Sequence, residues 1–63
     1  MQKLKELRED KALSMRELAQ MAGIGYNTIY RLEHGQENAL PRTVRKLAAA
    51  LDVEPRELRK KRG

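Results

Sequence analysis

Residues 14–35, SMRELAQMAGIGYNTIYRLEHG, decide how the rest of the chain is read. Ser14-Met15-Arg16-Glu17 is a Ser-x-x-Glu capping box: the serine hydroxyl accepts from the glutamate N–H, the glutamate side chain accepts from the serine N–H, and a helix starts there. Leu13 and Leu18 flank the box as a hydrophobic staple. This helix continues through Leu18, Ala19 and Ala22 and stops at Gly23, the residue type that most readily takes the left-handed conformation at a helix end. Ile24 starts a short turn. With Gly25 as N-cap, Ile24 and Ile29 fill the staple positions of a following helix, which is predicted to end at His34-Gly35.

A capped helix, a tight turn and a second helix make a helix-turn-helix arrangement. On a wheel of roughly 100° per residue, Ile29 and Leu32 point to one side of the second helix, while Tyr26, Asn27, Tyr30 and Arg31 occupy an arc of about 140° on the other. That polar face has the chemistry of a base reader. Asparagine pairs with N7 and N6 of adenine and arginine with O6 and N7 of guanine, and tyrosine either packs on a thymine methyl or hydrogen-bonds a phosphate. Residues in the N-terminal half of such a helix enter the major groove first. The competing reading is an ordinary solvated helix face. Against it stand two tyrosines, the only aromatic residues of the chain, on the side turned away from the core.

Outward from this unit, the two prolines and four glycines fall between periodic segments, and the punctuation predicts five short helices. The first spans about Gln2 to Lys11, with Leu4, Leu7 and Lys11 at helical spacing and Arg8 beside them. After a polar loop from Gln36 to Ala39, Leu40-Pro41 opens a fourth helix, whose Val44, Leu47, Ala48 and Leu51 form a full apolar stripe. Asp52 breaks that pattern, and Glu54 to Leu58 reads as a last short helix anchored by Val53 and Leu58. The expected architecture is all-α, a compact five-helix bundle forming a single domain over residues 1–63.

Composition narrows the function classes. At 63 residues the chain buries a small core, and with no cysteine and one histidine it has no disulfide framework or metal cluster to add to it. Neither a cofactor nor a metal is expected. Fourteen Lys and Arg against nine Asp and Glu give a net charge of +5, which favours a polyanionic partner. No apolar run approaches the roughly 20 residues that span a bilayer, and the first residues lack the apolar stretch of a signal peptide, so a cytoplasmic protein without a membrane partner is expected. No paired carboxylates, Ser-His arrangement or metal ligands point to an enzyme. His34 reads as a helix-end residue interacting with the dipole, and the basic segment 59–62 as a solvated helix end.

The string Leu13-Ser14-x-x-Glu17-Leu18-Ala19-x-x-Ala22-Gly23-Ile24-x-x-x-Thr28-Ile29-x-x-Leu32-Glu33-x-Gly35, followed by Pro41, Leu47-Ala48, Leu51 and Val53, resembles the XRE, or Cro/cI-type, phage-repressor helix-turn-helix family from Leu4 through Leu58. The resemblance implies a lambda-repressor-like five-helix fold that binds double-stranded DNA, as a homodimer on a near-palindromic operator. It implies a sequence-specific transcriptional regulator, with Tyr26, Asn27 and Arg31 as base readers and Tyr30 on the same face. Arg8 and Glu33 stand at the positions of a family ion pair tying the first helix to the end of the third. Phosphate contacts are expected from Arg16, Thr28, Asn38 and Arg42, at helix starts and in the loop entering the fourth helix. Two positions depart from the family. Met15 stands where many relatives place a glutamine that braces the first reader or a phosphate, and Gly25 replaces a Ser or Thr cap. An alternative within the same fold is an antitoxin-type module that binds a toxin protein as well as DNA.

Overall fold

The computed structural model describes residues 1–35 and 39–59, and the proposed phosphate ligand Asn38 and the basic segment beyond Arg59 lie outside them. Five helices follow in order: α1 (Gln2–Asp10), α2 (Met15–Ala22), α3 (Tyr26–Glu33), α4 (Pro41–Leu51) and α5 (Pro55–Arg59), with no strand among the described residues.

The capping box of α2 closes in both directions. The Glu17 N–H donates to Ser14 Oγ at 3.0 Å and the Ser14 N–H donates to Glu17 Oε1 at 2.9 Å. The Ser14 backbone donor, and then its hydroxyl, hold the Glu17 carboxyl below its ordinary value of 4.5. A carboxylate depressed on folding stabilises the native state above its unfolded pKa, and this contribution disappears as pH falls through the lowered folded value. Wild type and Glu17→Gln are therefore expected to differ in melting temperature near neutral pH and to converge below pH 4.5, a trend that thermal melts at several pH values would read. A gap that stayed constant across that range would remove the carboxylate from the cap.

Gly23 ends α2 at φ +69°, with the Ile24 N–H donating to the Ala19 carbonyl at 3.0 Å and the Gly23 N–H to the Gln20 carbonyl at 3.3 Å. This is the Schellman pattern, and it needs the left-handed conformation that side chains disfavour. A β-carbon there would meet nothing within 4 Å, so the cost of Gly23→Ala is purely a backbone one. The variant is expected to lose about 1 kcal/mol, a fall of about 4–8 °C in melting temperature for a chain of this size.

The same turn geometry recurs without glycine. Asp52 closes α4 at φ +57°, and Ala12 follows α1 at φ +55°. At α1 the helix stops at Asp10, one residue before the expected Lys11, because Lys11 already donates to the Arg8 carbonyl in a tightened turn and its side chain is exposed.

One apolar cluster joins all five helices: Leu4, Leu18 and Ala19, Ile29 and Leu32, Val44, Leu47, Ala48 and Leu51, and Leu58 are buried. Leu13, Met15 and Ile24 pack half-buried against it, which seats both staples. Helix α2 packs on α3 and α4, α1 packs on α3 and α5, and α4 on α5. The turn at Gly23 thus holds α3 at an angle with its apolar side inward and its polar side outward.

Candidate nucleic-acid interface

Helix α3 divides as its periodicity requires. Ile29 and Leu32 are fully enclosed, whereas Tyr26, Asn27, Tyr30 and Arg31 are all exposed, the two tyrosines at 42% and 41%. Thr28 is half-buried, and its N–H donates to the Gly25 carbonyl at 3.1 Å as the first turn closes. Gly25 is extended at φ −73° and supplies no side-chain cap, and no acidic residue stands in the first turn of α3 or of α4. Arg16, in the first turn of α2, and Arg42, in the first turn of α4, are both exposed. The starts of α3 and α4, without carboxylates, carry the partial positive charge that attracts phosphate, whereas the first turn of α2 also holds Glu17 beside Arg16.

Contacts that the sequence does not announce join these residues. The Arg16 guanidinium lies over the Tyr26 ring, 5.7 Å from its centroid, within cation–π range. One turn further along α3, the His34 ring stacks on Tyr30 at 4.0 Å between centroids and 20° between planes. His34 Nδ1 is 2.8 Å from the Tyr30 carbonyl, which accepts and so calls for a proton on that nitrogen. Met15, at the position of the family's bracing glutamine, turns inward against the core, and the residue that reaches Tyr26 is its neighbour Arg16.

The far end of α3 is tied to α1. Arg8 Nε donates to Glu33 Oε2 at 2.6 Å and Arg8 Nη2 to Glu33 Oε1 at 3.0 Å, a bidentate pair, while Nη1 donates to the Leu13 carbonyl at 2.7 Å. The two side chains are only 11% and 2% exposed. Hydrogen bonding to Glu33 holds the guanidinium pKa above its already high ordinary value in spite of burial. One arginine therefore joins α1, the start of α2 and the last residue of α3.

Away from α3, Ala48, Ala49, Asp52, Val53, Glu54 and Glu57 line an open, acidic groove of about 450 Å³ between α4 and α5. Leu58, expected to anchor the last helix, is core at 2% exposure. Among the described residues, no group of acidic or histidine side chains is placed to hold a metal, and no helix is long and apolar enough to cross a membrane.

A capped helix, a glycine turn and a helix that displays two tyrosines, an asparagine and an arginine to solvent define the helix-turn-helix class of DNA-binding module. The helix-turn-helix family model matches residues 4–63, and the chain belongs to that family in its XRE, Cro/cI-type form. Among solved structures it is similar to the restriction-modification controller protein C.AhdI from Aeromonas hydrophila, at 46% identity and a TM-score of 0.87 over 90% of this chain and 86% of that one. A comparison with curated protein sequences finds no match. The chain is a DNA-binding transcription regulator and not an enzyme.

Proposed function

We propose that this chain is a transcriptional repressor that recognises a pseudo-palindromic operator as a homodimer in the cytoplasm. Residues 1–63 act as one domain, with 14–35 as its reading unit. The observation that carries this reading is the exposed face of α3, where Tyr26, Asn27, Tyr30 and Arg31 stand together. Asn27 and Arg31 hydrogen-bond base edges and the tyrosines contact the groove beside them. Arg16, Thr28 and Arg42 hold phosphates at the starts of α2, α3 and α4, and Asn38 is assigned to the same strand contacts on the family resemblance alone.

The likeness to a restriction-modification controller protein supports a regulatory role. A single module buries only about 600–1,000 Å² on DNA, so tight binding calls for two copies. Their recognition helices would then sit about 34–36 Å apart, one helical turn of the duplex. The groove between α4 and α5 and the exposed side of α5 are the surface proposed for the second copy.

Selection from random double-stranded DNA near physiological salt, followed by titration of the winner against a scrambled duplex, tests the proposal. The expected result is an enriched pseudo-palindrome bound at least about a thousandfold more tightly than the control. Equal, weak binding to both duplexes that vanishes with added salt would mean electrostatic attraction alone and would overturn it.

A further inference from the structure

We propose that Tyr26, held in place by Arg16, reads the C5-methyl group of a thymine in each half-site, with Arg16 as its positioning residue. This rests on the DNA-reading function proposed above and specifies its chemistry. Tyrosine at a groove has two uses, a hydroxyl for phosphate or a ring for an apolar contact, and the Arg16–Tyr26 geometry decides between them. Tyr26 is the first residue of α3 and 42% exposed, and the guanidinium lies 5.7 Å from its ring centroid. A guanidinium held over a ring by cation–π attraction keeps N–H donors for a phosphate, so the cation serves the strand and the ring is left for the bases. The only apolar group on the major-groove edge of any base is the thymine methyl. A ring already held by a neighbour loses less conformational freedom when it meets that methyl, which favours contact over a freely rotating side chain. The second ring, Tyr30, is stacked by His34 one turn further from the helix start and therefore belongs to a different base step.

Replacing each thymine of the selected operator in turn by deoxyuridine removes only the methyl group, and fluorescence anisotropy reads the affinity. In wild type, one thymine per half-site is expected to lose about fourfold per methyl on replacement, the equivalent of about 0.8 kcal/mol. Tyr26→Phe is expected to keep that ratio and Tyr26→Ala to abolish it. Arg16→Lys retains the charge but not the broad, weakly hydrated guanidinium over the ring, so it is expected to lower the ratio while preserving the salt dependence of binding. Tyr30→Ala is expected to leave the ratio at this thymine unchanged. Uniform tolerance of deoxyuridine, a loss that persists in Tyr26→Ala, a loss abolished by Tyr26→Phe, or a half-site without thymine would each overturn the proposal while leaving specific DNA binding intact. Failure to select any specific duplex would instead overturn the DNA-reading function itself.

Discussion

Glu33→Ala is expected to lower the free energy of unfolding by about 3–5 kcal/mol, measured by urea denaturation followed by circular dichroism. The reason lies in what the substitution leaves behind. Arg8 is 11% exposed and its guanidinium is committed to two bonds with Glu33 and one with the Leu13 carbonyl, so loss of the carboxylate strands a cation in a nearly closed site. Hydrogen bonding to Glu33 raises the Arg8 pKa in the folded state, so the charged pair contributes stability throughout the ordinary pH range, and an arginine left without its partner stays charged there. A chain of this length has a total stability of about 3–9 kcal/mol, so the variant should lose about a third of it or more. The double substitution Arg8→Met with Glu33→Leu removes both charges together. It is expected to recover most of the loss, short of the roughly 1 kcal/mol attributable to the Leu13 hydrogen bond. A loss below about 1 kcal/mol in Glu33→Ala would place the pair among exposed surface pairs instead. Glu33 is the last residue of α3, so the same pair also fixes the end of that helix against α1.

Arg31→Ala and Arg42→Ala should weaken DNA binding in distinguishable ways. Arg31 stands on the exposed face of α3 beside Asn27 and Tyr30, where a guanidinium meets base edges, and its loss is expected to remove about 1–3 kcal/mol of discrimination at one base position. Binding to duplexes already altered at that base should hardly change. Arg42 stands exposed in the first turn of α4, and its loss should weaken binding to every duplex alike and reduce the salt slope by about one. Titrations of both variants against the selected operator, its single-base variants and a scrambled control at several salt concentrations would separate these effects. Identical losses on every sequence would remove Arg31 from the base-reading set. Both side chains are exposed, so neither change should affect folding comparably to Glu33→Ala.

How much of this was legible beforehand follows from the range of each interaction. Ser14 and Glu17 lie three residues apart, and Ala19 and Ile24 five, so the start and stop of α2 are encoded in the chain's own neighbourhood. The same holds for the Ile29 and Leu32 stripe of α3 and for the apolar stripe of α4, because helical geometry converts spacing directly into a face. The sequence by itself therefore determined the helices, which of their sides are buried, and the helix-turn-helix unit with its polar outer face.

Other features depend on how the helices cross. Arg8 and Glu33 are 25 residues apart, and nothing local distinguishes them from two surface charges; only the family resemblance named them as partners. Arg16 and Tyr26 sit on different helices, and their cation–π contact follows from the angle that the Gly23 turn imposes between α2 and α3. The left-handed turns at Ala12 and Asp52 carry no glycine, because the packing of α1 and α4 on the core outweighs a backbone cost of about 1–2 kcal/mol at each. Tertiary structure alone decided these three matters: local spacing specifies what a residue's own helix does with it, and contact between helices requires the whole core to be in place.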